Sequence, residues 1–246
     1  MFELKKLPFF STFGNVLKRI FIELYRSMGM TIAISFTWCL TFLPILFMLY
    51  ALWGGLATAH KLLTVGDRFG FFLMGALFIA FWNGLLTGPF TTAWYGLYQI
   101  RKSDYPSFKK FLAIFKKIYW RSAAIHWLYS FLIVVLILNV VIAFRDSNLL
   151  LTIAGVLSAY MIFLFFLISF YFHPLIYLDN TIKKVIKKSF LLTVDNMSLT
   201  LFFSIFMGIM FILSIGLVFP LLLIYGAIVI YGIDFGFEPI YQKYDE

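Results

Sequence analysis

Residues 198–233 read SLTLFFSIFMGIMFILSIGLVFPLLLIYGAIVIYGI, an apolar run of 36 residues with Pro220 near its middle. About 20 apolar residues cross the hydrocarbon core of a bilayer as one helix. The run is therefore too long for one ordinary span and just long enough for a tight pair. We predict two spans that turn near Pro220, over residues 198–219 and 220–237. A single span here would leave a five-span protein as the alternative.

The rest of the chain has the same apolar character. Hydrophobic residues make up 63% and charged residues only 13% of its 246 residues, whereas an average soluble domain carries about 25% charged residues. Four further apolar runs are long enough to cross the membrane, and they cover residues 28–59, 69–100, 122–144 and 148–178. The predicted fold class is all-α: a polytopic transmembrane helical bundle of about six spans, five being possible, in one integral membrane domain over residues 1–246.

Basic residues are distributed unevenly about these spans. Lysine and arginine number 20 and the acidic residues 11. With six spans, one side holds five basic residues before the first span, seven in residues 101–121, four in residues 183–188 and Lys243, and the other side holds only three. Such residues concentrate on the cytoplasmic side. We therefore predict a multi-pass protein of the cell (inner) membrane with both termini in the cytoplasm. The five-span alternative would move only Lys243.

Two basic segments on the predicted cytoplasmic side have the periodicity of amphipathic helices. In residues 104–121 and 180–193, apolar residues recur at helical spacing and lysines fall elsewhere on the helical wheel. We predict two basic amphipathic interfacial helices, and whether they bind lipid or protein stays open. Their candidate contact residues are Phe108, Lys109, Lys110, Phe111, Phe115, Lys116, Lys117, Arg121, Lys183, Lys184, Lys187 and Lys188.

Small residues recur every four positions in the second span, at Gly84, Gly88, Thr92 and Gly96. Such a ridge lets another helix approach closely, which matters in lipid because close packing replaces the hydrophobic driving force. We predict a buried helix-packing ridge. The helix that packs on this ridge lies either within this chain or in another subunit. Whether the protein forms homo-oligomers is also left open by the sequence.

Few polar side chains lie deep in the predicted spans. The candidate buried polar residues are Asn83, His126, Asn139, His173 and Asp234. We expect the two asparagines to form hydrogen bonds between helices and the two histidines to lie at the membrane interface. We expect Asp234 to face the headgroups, with a coupling role as the alternative, because ionisable groups inside a membrane are functional candidates.

Sequence patterns for catalysis are missing from the chain. It has no P-loop, dinucleotide-binding fingerprint, HExxH or GxSxG pattern. Its single cysteine, Cys39, cannot form a metal-binding cysteine cluster. We therefore predict a protein that is not an enzyme and that has no cofactor, no catalytic or metal site and no nucleic acid as partner.

One stretch resembles a known family. Residues 88–94 read GPFTTAW and lead into a basic turn at Arg101 and a Phe- and Lys-rich segment over residues 108–117. This order resembles the signature of the YesL-type bacterial membrane proteins. Further similar blocks are Leu43-Pro44-Ile45 and residues 172–175, 182–192 and 196–201. The chain departs from the family pattern in its longer stretch between Pro44 and Gly88.

The resemblance implies a multi-span protein of poorly defined function, often encoded beside sugar ABC-transporter genes. We therefore expect an accessory or regulatory subunit associated with a carbohydrate ABC-type uptake system, with membrane lipids and ABC-transporter permease or other membrane subunits as partners. The alternative is a small-solute or lipid carrier with a pathway between Pro-broken helices. A polar cavity lined by Asn83, Thr87, Thr91 and Asn139 would favour the carrier, and a dry core with exposed apolar patches would favour the subunit.

Overall fold

Ten α-helices and two short π-helical segments account for almost all of the described part of the chain. The computed structural model describes residues 9–58, 65–101, 105–143, 148–217 and 221–244. In chain order the α-helices are α1 (Phe9–Arg26), α2 (Met28–Thr58), α3 (Val65–Trp82), α4 (Gly88–Arg101), α5 (Phe108–Ala143), α6 (Leu149–Ser169), α7 (Phe172–Tyr177), α8 (Ile182–Asp195), α9 (Met197–Leu217) and α10 (Gly226–Tyr244).

Six stretches of the described helices are long and apolar enough to cross a membrane, which confirms the predicted all-α bundle with six candidate spans. They are Met28–Met48, Gly70–Arg101, Phe108–Ala143, Leu149–Ser169, Met197–Ser214 and Leu223–Tyr241. The long apolar run at residues 198–233 is divided as expected. Helix α9 ends at Leu217, and a π-helical segment, Leu221–Tyr225, leads into α10. The predicted ends at residues 59, 144, 219 and 220, and the start at residue 104, lie outside the described residues.

The second span passes through Gly88-Pro89 without a break. A π-helical segment, Asn83–Thr87, joins α3 to α4, and the backbone N–H of Gly88 donates to the carbonyl oxygen of Asn83, five residues earlier. Proline lacks an N–H and its ring crowds the preceding turn. A wider turn just before Pro89 relieves that crowding. The span therefore continues as far as Arg101.

The third span begins much earlier than predicted. We expected an interfacial helix over residues 104–121 and a separate span over residues 122–144, but α5 is one helix of 36 residues. No glycine or proline lies between Phe108 and Ala143 to end it. At 1.5 Å per residue it is about 54 Å long, which exceeds a hydrocarbon core of about 30 Å. The helix is thus longer than one crossing requires, and its amphipathic beginning is continuous with the apolar remainder.

The fourth span is shorter than the predicted residues 148–178. Helix α6 ends at Ser169, and residues 172–177 form the short helix α7. Pro174 lies in the first turn of α7, where a backbone N–H has no helical partner and its loss costs little. The second amphipathic segment is a separate helix, α8, close to its predicted bounds.

Helix α1 precedes the first span and is absent from our sequence-based prediction. On its inward face, Val16 and Ile20 belong to a buried core with residues of α10, and the partly buried Phe13, Leu17 and Leu24 pack against that core. Burial of Val16 and Ile20 stabilises this packing by about 1.5–3 kcal/mol each. The helical spacing of these apolar residues is a signal in the sequence that could have predicted α1.

The described residues fall into two compact units. One comprises residues up to Cys39, Phe90–Arg121 and residues from Leu167 onward; the other comprises Leu40–Pro89 and Ser122–Phe166. The core of the first unit centres on Tyr231 and on isoleucines of α1, α2 and α10. Many large apolar side chains remain exposed outside the cores, as lipid-facing helices require.

Candidate functional site: a basic surface on α5 and α8

Helix α8 buries only a narrow stripe of small or short side chains. Val185, Ser189 and Thr193 are buried on one face. Ile182, Ile186 and Phe190 lie at helical spacing on the same side of α8 as Val185 but are exposed, Ile186 by 42% and Phe190 by 46%. Helix α8 therefore presents an apolar stripe to its surroundings.

Exposed lysines lie beside this stripe and along the start of α5. The exposed lysines of the two segments are Lys109, Lys116, Lys117, Lys183, Lys184, Lys187 and Lys188. Lys110 is half-buried, and its Nζ donates to the Tyr105 carbonyl oxygen at 2.8 Å. We name the seven exposed lysines the basic surface. An apolar stripe next to lysines is the pattern of a helix that lies in the membrane interface.

The start of α5 differs from α8 because its apolar face is covered within the first unit. Phe111 is only 4% exposed and packs against Trp94, with ring centroids 4.9 Å apart, and against Phe90, at 5.1 Å. Phe115 is half-buried. Phe111 is therefore unavailable as the partner contact that we predicted. Phe108, by contrast, is 74% exposed and remains accessible.

An ion pair joins α5 to the turn before α8. Arg121 Nη1 donates to Asp179 Oδ1 at 2.6 Å and to the Asn180 carbonyl oxygen at 3.3 Å. Asp179 adopts a left-handed φ of 62°, which aspartate tolerates better than most residues. Asn180 Nδ2 donates to the Leu175 carbonyl oxygen at 2.9 Å. These bonds hold the start of α8 beside α5, so the lysines of both helices are carried by one connected structure.

We call the contacts of Arg121 with Asp179 and Asn180 the clamp. Titration of Asp179 tests it. The hydrogen bond from Arg121, its charge and the charge of Lys117 hold the pKa of Asp179 below its ordinary value. The contact should therefore be complete above that ordinary value, about 3.9, and be lost only as the pH falls through the lower pKa of the folded protein. We expect the ¹³C shift of the Asp179 carboxyl carbon to titrate accordingly. Arg121→Gln should raise this pKa, whereas Lys116→Gln, which removes a charge elsewhere on α5, should change it little. An equal effect of both substitutions would contradict the clamp.

The first half of the predicted ridge packs against α5 in the second unit. A Cβ atom placed on Gly84 would lie 2.7 Å from Trp127 Cβ and 2.8 Å from Trp127 Cα, and one on Gly88 would overlap the ring of His126. Both glycines therefore have their packing partner within this chain.

The other half of the ridge has its partners in the first unit. The hydroxyl group of Thr92 shares a hydrogen bond of 2.8 Å with His173 Nδ1. A Cβ atom on Gly96 would lie 2.8 Å from Tyr177 ring atoms and 2.9 Å from Ile114 Cγ2. All four ridge residues thus lie against side chains of the same chain.

The candidate buried polar residues have different environments. Asn83 Nδ2 donates to Ser130 Oγ at 2.7 Å, an interhelical hydrogen bond of the kind expected. Asn139 is exposed rather than buried. His126, expected at the interface, is buried, and its Nδ1 donates to the Ser122 carbonyl oxygen at 2.8 Å. His173 is half-buried and contacts the ridge residue Thr92 through the hydrogen bond described above.

Asp234 is buried and does not face the headgroups as we expected. The residue is 3% exposed. Its Oδ1 accepts hydrogen bonds from Gln99 Nε2 and from the Tyr95 hydroxyl group at 3.5 Å. A carboxylate in lipid must be paired or hydrogen-bonded because an isolated charge is expensive there. These two donors come from the last turns of α4, so Asp234 joins α10 to the second span.

One ionic cluster of the first unit is absent from our sequence-based prediction. Arg101 Nη1 lies 2.7 Å from Glu23 Oε1, which also accepts from Ser27 Oγ at 2.5 Å. Arg19 pairs with Glu238 at 2.6 Å and stacks on Phe235, 4.4 Å from the ring centroid. Arg101 and Glu23 are 78 residues apart, so local spacing carries no signal for their pairing.

Neither metal chemistry nor a known relative adds to this picture. Within the described ranges, no group of three or more His, Cys, Asp or Glu residues could hold a metal ion. Comparisons of the chain with protein-family models, curated proteins and solved structures gave no match. The function must therefore be argued from the basic surface, the buried polar groups and the chemistry of the sequence.

Proposed function

We propose that the chain is a non-catalytic membrane protein that acts by contact, as an accessory or regulatory subunit associated with a carbohydrate ABC-type uptake system. The observation that supports contact is the basic surface, whose seven lysines are exposed on α5 and α8 beside the clamp formed by Arg121 and Asp179. The association with carbohydrate uptake rests on the resemblance to YesL-type proteins.

The two helices divide the contacts between them. Helix α8 has an exposed apolar stripe, so we assign it to the lipid interface, with its lysines at anionic headgroups. The start of α5 has its apolar face covered by Phe90 and Trp94. Its exposed lysines, Lys109, Lys116 and Lys117, are therefore assigned to a protein partner, an ABC-transporter permease or another membrane subunit.

The alternative of a solute carrier receives less support. Asn83 donates to Ser130, and the hydroxyl group of Thr87 donates to the Thr41 carbonyl oxygen at 3.4 Å. Both side chains thus bond to neighbouring helices, and Asn139 is exposed. These contacts favour helix packing as the role of the polar residues that a carrier pathway would use.

Co-purification from the native membrane in mild detergent tests the proposal. We expect an ABC-transporter subunit to be recovered with the wild-type protein and to cross-link to a photoreactive residue at position 116. Replacing Lys109, Lys116 and Lys117 with glutamine should weaken the association about tenfold, since exposed ion pairs contribute about 0.5 kcal/mol each. The matched control replaces Lys184, Lys187 and Lys188 and should retain the partner. Recovery of no transporter subunit, or equal losses in the two triple variants, would refute the assignment.

A further inference from the structure

A cleft of about 470 Å³ lies beside the ionic cluster of the first unit. We name it the arginine cleft. Its lining includes Arg19, Glu23, Arg26, Tyr98, Arg101 and Phe235. Three guanidinium groups and one carboxylate therefore face the same space, and the size is that of a small-ligand site.

The convergence of the arginines follows from helix geometry. Arg19, Glu23 and Arg26 occupy positions i, i+4 and i+7 of α1, so they share one face of that helix. Arg101 ends α4, and Phe235 comes from α10, where its ring supports the guanidinium group of Arg19. Three helices thus hold the walls of the cleft.

The arginines keep hydrogen-bond donors available. Each guanidinium group has five N–H donors. Among the described residues, Arg19 forms an ion pair with Glu238, and Arg101 forms one with Glu23. Arg26 forms no ion pair with any described residue and is exposed. Three arginines and one carboxylate line the cleft, so the charge of its lining favours an added anion.

The cleft lies where candidate spans end on one side. Arg26 is two residues before the span Met28–Met48, and Arg101 is the last residue of Gly70–Arg101, while Phe235 lies six residues before the end of Leu223–Tyr241. The phosphate groups of lipids lie at this level of a membrane. Arginine binds phosphate well because its planar fork of donors matches the phosphate oxygens.

We propose that the arginine cleft binds the phosphate group of an anionic ligand. The shared chemistry is a phosphate held by Arg26 together with the free donors of Arg19 and Arg101. The position of the cleft at the ends of candidate spans favours an anionic phospholipid headgroup as the source of this phosphate group. Free phosphate is the other source. This site is separate from the basic surface and does not depend on any transporter partner.

Lipid retention by the purified full-length protein tests the proposal. We expect native mass spectrometry to show phosphatidylglycerol retained in preference to phosphatidylcholine. Arg26→Gln should weaken this retention about fivefold, as expected for one basic residue at an anionic surface. Lys18→Gln is the matched control because Lys18 is exposed on the same helix and does not line the cleft. It should leave retention unchanged.

A second measurement separates the sources of the phosphate group. Inorganic phosphate is titrated into the lipid-depleted wild-type protein and into both variants. Arg26-dependent retention of phosphatidylglycerol supports the lipid source, and Arg26-dependent binding of inorganic phosphate alone supports a soluble source. Equal behaviour of Arg26→Gln and Lys18→Gln with both probes would overturn the proposal. Because Arg26 has no ion pair with a described residue, thermal unfolding of the two variants should agree, which shows that a binding difference is not a folding defect.

Discussion

Replacing Gly84 with alanine is expected to lower the free energy of unfolding by about 1–3 kcal/mol, the usual cost of overpacking. The added Cβ would lie 2.7 and 2.8 Å from Trp127 Cβ and Cα. Since one of these is a backbone atom, rotation of a side chain cannot relieve the overlap. The second span and α5 must then separate at this point. The change should be visible as a lower midpoint in an SDS titration of the protein in mixed micelles.

Gly208→Ala is the control for this substitution. Gly208 also lies within a span, but a Cβ there would meet no atom within 4 Å. Alanine has a higher helix propensity than glycine, by about 0.8–1 kcal/mol, so this variant should be neutral or slightly more stable. If Gly84→Ala behaved like Gly208→Ala, the close approach at Gly84 would be contradicted.

Replacing Arg101 with methionine is expected to destabilise the protein by about 2 kcal/mol. The substitution leaves the Glu23 carboxylate without its cation. Removing one partner of a fully buried pair costs about 3–5 kcal/mol. The side chains of Arg101 and Glu23 are 26% and 16% exposed, so solvent screening lowers the expected cost. The same SDS titration measures it.

The double variant Glu23→Gln/Arg101→Met distinguishes charge pairing from simple packing. It removes the unpaired charge, so it should be more stable than Arg101→Met alone. Arg26→Met serves as control, because Arg26 has no ion pair among the described residues, and it should change stability by less than about 0.5 kcal/mol. If the loss of stability in the double variant equalled the summed losses of Glu23→Gln and Arg101→Met, Arg101 and Glu23 would not be coupled.

The comparison of α5 with α8 shows how far periodicity alone could predict the candidate site. The amphipathic pattern placed the lysines of both helices away from the apolar face, and all of them except the half-buried Lys110 are exposed. The same pattern predicted one apolar face for each helix but could not say what would cover it. Phe111 is buried against α4, whereas Ile186 and Phe190 of α8 are exposed. A helical wheel shows which residues share a face of one helix, but it does not show which neighbouring helix covers that face.

The buried carboxylate and the ionic cluster show the same limit. Asp234 was visible in the sequence as an ionisable group near the end of a span, and we expected it to face the headgroups. Its donors, Tyr95 and Gln99, lie 139 and 135 residues away in the chain. Whether the side chain turns inward to these donors depends on how α10 is rotated against α4, and no local pattern contains that rotation.

The sequence by itself determined the class of protein and limited the candidate spans to five or six. Hydropathy over about 20 residues is a local property, and the bilayer sets one length for every span. The tertiary structure decided which polar groups meet: Glu23 with Arg101, Asp234 with Gln99, and the three arginines of the arginine cleft. The physical reason is that these contacts join helices distant in the chain, whose pairing and rotation follow from packing of whole surfaces and not from the spacing of residues within one helix.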